Sequence, residues 1–533
     1  MPRDTIYAPK RKSVAGTMTL PAPTGGINAR DSLAMMKPNE AVNMVNFYPL
    51  QYGVRVRKGY RQWASNFIAN TGLPVETLIT HHGADGSEEM FAAVGQGFYD
   101  VTTSNIGGAG LIAVHAGNSS ARWQYVGMTN EFGTFTVAVD GVDTPLSYDG
   151  TAWTALAITA NATDYPNFDP KNFINVALSH RRLWFVQKDT GDAWYLPVDQ
   201  IQVEVKRFGV GEVFPRGGFL QAIGTWATES GSGMVDNTVF VSSEGDIALF
   251  SGYDPDDIIT FQLAGTYQIG ATFNRRCLLK YGSDLWVLCE DGVFPLSGLL
   301  GQSKVLMAGA VTDIIQLRLS DDVTSFSKNF GWEMTVVNRH QLIMLNVPVT
   351  GAPNKQWVMN QVTQAWTTFE GMDAVCLGLL NNEPYYGGLG YVNQAWYGNL
   401  DNYTEASGGT SIVASCQQAY NYFGQPAQQK RWTMLRPIFN AGGVPGVVIG
   451  LNVNFNITPV TVAAPPSYAQ APGSEWGVAL WDSGLWGGGL QNISNWYSAN
   501  AIGFAAAPFL KVQASFDTFW IATDFVSEQG GVL

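Results

Sequence analysis

Apolar residues in this chain come in short runs broken by Gly, Asn, Asp and Pro, a texture that predicts strands joined by tight turns. Helical periodicity is scarce. Its best instance is residues 37–46, where Pro38 suits a first helical turn and Ala41, Met44 and Val45 share a face. A short helix is expected there. Between residues 75 and 400 the runs recur, opening units near Leu78, Trp123, Ile174, Leu220, Cys277, Trp332 and Val375, at intervals of roughly 45 to 55 residues. Many units then reach a strand that ends in an aromatic followed by a small or acidic turn. Instances are Phe98-Tyr99-Asp100, Tyr148-Asp149-Gly150, Leu249-Phe250-Ser251-Gly252, Phe294-Pro295-Leu296-Ser297-Gly298 and Trp396-Tyr397-Gly398.

That period is the length of a propeller blade. Four short antiparallel strands cannot bury both faces alone, so blades stack radially and close into a ring, with the aromatics as wedges. The fold class expected is all-β. A β-propeller-like domain fills 75–406, an extended N-terminal arm and assembly segment precedes it at 1–74, and a C-terminal β-sandwich-type domain occupies 407–533. In that last part a long apolar run over 447–455 leads to a Pro/Ala-rich link at 461–473. A tryptophan ladder follows, with Trp476, Trp481 and Trp486 five apart and Trp496 ten further on.

Composition adds a direction. Charged residues make up 14% of the chain, below the usual quarter, beside 59 Gly and 12% aromatics. Such a balance predicts wide surfaces buried between copies, with the ladder tryptophans as interface anchors. Exposed instead, the same rings would stack on sugars. The net charge of −13 excludes a protein that grips nucleic acid through a broad basic surface. The four cysteines show no CxxC pair or zinc spacing, which reads as buried thiols in a reducing compartment. No apolar stretch approaches the roughly 20 residues of a spanning helix. The basic start, with Lys10, Arg11 and Lys12, lacks the apolar run of a secretory signal and is expected to be an arm that orders on assembly.

Catalytic chemistry is hard to place. The five histidines are dispersed, and in a strand the adjacent His81 and His82 face opposite ways. Phosphate-binding, dinucleotide and nucleophile-elbow motifs are missing. Carboxylates cluster at Asp254/Asp256/Asp257, Asp140/Asp143 and Glu88/Glu89, beside Gly and Pro, where solvated loop tips are the ordinary outcome. No catalytic, metal or cofactor site is expected, and the chain is read as not an enzyme.

One segment goes further. Residues 19–60 carry Pro23-x-Gly25-Gly26-Ile27-Asn28, then Arg30-Asp31-Ser32, Pro38…Ala41…Asn46 and Arg57-Lys58-Gly59-Tyr60. The segment resembles the opening of the tail nozzle (tail tubular, or DNA-stabilisation) proteins of short-tailed bacteriophages, the podoviruses, and the tryptophan-rich tail resembles their C-terminal part. The resemblance implies a structural homohexamer of the virion tail, assembled in the host cytoplasm below the portal and its adaptor. It also implies docked tail fibres or tailspikes and genomic DNA passing through the channel. Six copies would total −78 (6 × −13), a field that keeps DNA from adhering to the wall. Gly25, Gly26, Asn28, Arg30, Asp31, Arg57, Lys58 and Gly59 are expected as assembly residues, with Trp476, Trp481 and Trp486. On this reading an Arg57→Glu/Lys58→Glu variant folds but assembles poorly. The alternative is a carbohydrate-binding or carbohydrate-cleaving propeller.

Overall fold

The computed structural model describes residues 15–229, 234–257, 259–299, 309–405, 408–457, 463–469 and 489–532. Lys10, Arg11, Lys12, Trp476, Trp481 and Trp486 lie outside the described residues. The chain divides into two units: one holds residues 58–361 and 368–409, the other 1–57, 362–367 and 410–533.

The first of these is the propeller. The apolar runs of the repeat become the first strands of seven blades: Val75–His82, Gln124–Asn130, Phe173–Ser179, Leu220–Glu229, Leu278–Tyr281, Glu333–Val337 and Cys376–Leu380. Each opens an antiparallel meander, as Val75–His82 pairs with Glu88–Val94, that with Gly97–Asp100, and that with His115–Ala116. The seven first strands pack side by side in chain order, and the seventh packs back on the first. Across that closing seam Thr80 Oγ1 donates to the Leu379 carbonyl at 2.7 Å. The last blade takes its fourth strand from the other end of the unit: Tyr60–Ser65 pairs with Tyr391–Ala395.

The aromatic motifs of the repeat close third strands such as Leu146–Tyr148 and Asp246–Ser251, and their rings fill the seams between blades. Between the first and second blades lie Phe91, Phe98, Trp123, Tyr148 and Trp153. Between the third and fourth, Trp184 meets Tyr195 at 4.9 Å and Phe240 at 5.5 Å, while Phe250 stacks on Phe261 at 5.2 Å. Pairs in these geometries contribute about 0.5–1.5 kcal/mol each beyond the area they bury. Much of the aromatic content therefore serves blade against blade within one copy. The expected use between copies does not account for these rings.

The expected helix at 37–46 is absent. Ala41–Val45 is a strand on Thr410–Gln418, with Ala41 opposite Gln418, and Asn46 ends it in the left-handed region at φ 58°. Strand pairing outweighs a weak helical pattern here, as tertiary context commonly does. The longest helix among the described residues, Gln316–Phe326, comes after the fifth blade, and its Asp322 accepts from Lys355 Nζ at 2.7 Å and Trp357 Nε1 at 2.9 Å.

The second unit is a sandwich. One sheet joins Gly16–Pro21, Phe47–Pro49 and Val54–Val56 to the long strands Gln428–Ala441 and Thr518–Val532, with Gln491–Ser494 and Tyr497–Gly503 on the far side. The other runs Ala41–Val45, Thr410–Gln418, Ala506–Ala514, Gly446–Val453. Leu20, Trp432, Leu435, Ala506 and Phe525 form the core between them. The sandwich-type fold expected for the C-terminal part is present, but residues 15–57 are strands and turns of it. Within the stretch expected as an arm, residues 15–57 are not separate from the sandwich, because Thr518–Val532 pairs with Gly16–Pro21 along six residue pairs, Gly16↔Ser527 to Pro21↔Ala522.

Candidate functional site

The residues singled out in segment 19–60 hold the chain to itself. Gly26 sits at φ +73°, and a Cβ there would lie 2.5 Å from the Trp366 carbonyl oxygen; Gly25 is less tightly placed, 3.0 Å from the Asn39 carbonyl oxygen. Asn28 is buried. Its Nδ2 donates to Asp31 at 2.9 Å and to the buried Glu40 at 2.8 Å, while its Oδ1 accepts the backbone N–H groups of Arg30 and Asp31. Arg30 and Asp31 form an outward ion pair at 2.9 Å. Arg57 is only 1% exposed and donates through Nε to Asn46 Oδ1 at 2.8 Å. Lys58 Nζ donates to Asn399 Oδ1 at 2.9 Å, and a Cβ on Gly59 would fall 1.8 Å from the Leu400 carbonyl oxygen. Arg57 is thus enclosed in its own protomer. The expectation that Arg57→Glu would fold normally is corrected, since a buried carboxylate would replace a bonded guanidinium.

Other flagged groups are committed in the same way. Asp254 accepts from Arg182 at 3.0 Å, and Asp256 from Tyr195 at 2.6 Å and Lys206 at 2.8 Å. His81 is buried 2.9 Å from Thr136 Oγ1, whereas exposed His82 faces Glu88 at 3.3 Å. All four cysteines are buried and free, and burial pushes the thiols of Cys277, Cys289 and Cys376 up to about 12. Among the described residues no three His, Cys, Asp or Glu side chains converge on a metal-sized site, and no helix is long and apolar enough to cross a membrane.

A feature the sequence reading missed lies where the first strands of the blades converge. Two hollows of about 240 Å³ and 220 Å³ share Gln124, Arg275 and Arg276 as lining. The inner one is walled by first-strand residues of six blades, among them Thr77, Asn175, Ile223 and Glu333, so it lies on the propeller axis. The outer one is its mouth, built by residues that precede first strands: Arg122, Asn274, Arg275, Arg276, Lys328 and Phe330.

The cations of this basin are held unequally. Arg276 is saturated: Nη1 donates to Glu333 at 3.2 Å, and Nη2 to Thr77 Oγ1 at 2.7 Å and to the carbonyls of Glu76 and Trp123 at 3.2 Å. Arg122 pairs with Glu76 at 2.9 Å, and its guanidinium lies 4.4 Å from the Phe330 ring centre, with that of Arg276 at 5.0 Å. Arg275 donates once, from Nη1 to the Asp140 carbonyl at 2.6 Å. Burial presses its pKa down; the Asp140 charge opposes this, and the neighbouring Arg276 and Arg122 add to it. Asp140 is itself raised by burial, and its Oδ1 is occupied by the N–H groups of Val142 and Asp143. Lys328 has no carboxylate partner among the described residues. Four cations thus face Glu76, Glu333 and the buried Asp140, a positive surplus in an acidic chain. Two lining amides are also incompletely bonded, Asn274 at Nδ2 and Asn175 at Oδ1.

The signal was present in the sequence. Arg122, Arg275-Arg276 and Phe330 each stand one to three residues before a unit-opening run, and in a propeller those positions ring the mouth of the axis.

No protein-family model and no curated protein matches the chain. Among solved structures, a chain described as YCF48 bound to D1 peptide is similar over 63% of this chain and 96% of its own, at 10% identity and a TM-score of 0.33.

Proposed function

We propose that this chain is a structural subunit of a short-tailed phage tail nozzle, which assembles as a ring, extends the portal and adaptor channel and conducts DNA at ejection. The observation that carries the reading is the fate of the segment resembling that family. Residues 19–60 supply strands to the sandwich, as Ala41–Val45 and Val54–Val56, and Tyr60 begins the strand that closes the propeller. A resemblance confined to a loose terminal tail would count for little. This one falls on the residues that both units need in order to form.

The carboxylate clusters support the same reading through the bonds they make: Asp140 accepts from Val142 and Asp143 at a turn, Asp254 from Arg182, and Glu88 from the Asn381 N–H across the closing seam. The acidic total supports it as well, since a conduit wall should not retain the polyanion it conducts. The exposed apolar side chains of the sandwich, Val413, Ile502 and Trp496 among them, offer surface for neighbouring copies, adaptor or fibre. The test is negative-stain microscopy of the purified chain, alone and with particles of its own phage that carry the adaptor but lack this protein. Closed sixfold rings on the adaptor are the expected result. A chain that stays monomeric in both settings, or that hydrolyses host polysaccharide, would overturn the proposal.

A further inference from the structure

We infer that the basin at the mouth of the propeller axis is a binding site for a small oxyanion, a carboxylate or a phosphate monoester, held on Arg275 and Lys328. The inference concerns a single propeller and stands whether or not copies assemble. The four cations differ in how they are held. Arg122 and Arg276 are neutralised by Glu76 and Glu333 and fixed around Phe330, so they shape the wall. Arg275 differs: its one hydrogen bond goes to a backbone carbonyl, which leaves most of a guanidinium fork unengaged inside a cavity. A guanidinium in that condition matches the two oxygens of a carboxylate or phosphate, and such bonds are the strong, charge-assisted kind.

Size and surroundings narrow the ligand. About 240 Å³ at the mouth and 220 Å³ behind it lie below or near the lower end of drug-sized pockets, which suits a small molecule or one end of a larger one. Asn274, a residue of the mouth, keeps a buried Nδ2 donor without an acceptor, which adds to the positive character of the wall. Asp140 accepts from Arg275 through its backbone carbonyl, and its carboxylate is the one whose charge acts on that guanidinium, so it competes there with an anion. Replacing the carboxylate would therefore leave the cation in place and remove the competition.

The experiment is calorimetric titration of the full chain with sodium phosphate and, separately, sodium glucuronate, at fixed ionic strength set with chloride. The fluorescence of Trp332 and Trp123, which line the cavity, provides a second readout. Saturable binding of one anion per chain is expected. Arg275→Gln should weaken it about 10-fold or more, the loss of a charge-assisted bond. Lys328→Gln, at an exposed position, should weaken it about two- to fivefold. Asp140→Asn should tighten it several-fold, a gain that mere structural damage would not produce. Binding of phosphate alone assigns a phosphoryl ligand and binding of glucuronate alone a carboxylate; either supports the site. Failure of both anions to bind at about 10 mM would overturn it, as would binding that Lys328→Gln and Asp140→Asn leave unchanged.

Discussion

At the scale of single residues, close approach decides more than charge. Gly59 has a carbonyl oxygen where a Cβ would stand, so Gly59→Ala should destabilise the propeller by about 1–3 kcal/mol or more, read as a lowered melting temperature. Arg57 and Lys58 are neighbours in sequence and opposite in consequence. Arg57→Glu should cost about 3–5 kcal/mol through a buried, unpaired carboxylate, and Lys58→Glu about 1 kcal/mol or less, as two urea titrations would separate. The thiols give a pH signature. In the unfolded chain a thiol ionises near about 8.5. In the fold Cys277, Cys289 and Cys376 hold their protons to about 12, so their contribution is complete below the unfolded value. It declines as the pH rises between the two values. Unfolding free energy should therefore fall as the pH rises from about 8.5 toward about 12, and thiol reagents should report few reactive groups until the chain is denatured.

At the scale of elements, the repeat was the legible part. Each unit-opening run named from the sequence lies in a first strand or one residue before it, because alternation and turn residues are local and survive folding unchanged. Trp184, at the seam of the third and fourth blades, carries that pattern into packing: Trp184→Ala should cost about 3–5 kcal/mol and broaden the thermal transition. What local pattern could not supply was partnership across long separations. Ala41–Val45 reads as helix until Thr410–Gln418 is beside it, and nothing near residue 60 announces that its partner stands beyond residue 390. The cationic basin was hidden for the same reason. Its members come from several blades, and only a closed ring makes Arg122, Arg275 and Lys328 neighbours.

At the scale of the whole molecule, the two units are interleaved in sequence. The boundary read near residue 407 would leave the sandwich without Gly16–Pro21, Ala41–Val45 and Val54–Val56. Expressed alone, residues 407–533 should be insoluble, with two sheet edges open, whereas co-expression with residues 1–57 should recover soluble material. Fractionation after each expression checks this.

The pairing of Tyr60–Ser65 with Tyr391–Ala395 also sets an order of events during synthesis. The ribosome makes the first of these strands 326 residues before it begins the second (391 − 65), which at about 5–20 residues per second is on the order of tens of seconds. Throughout that interval the nascent chain carries a strand with no partner yet made. Its surroundings, chaperone or neighbouring polysome, meet an open circle before they meet a finished one.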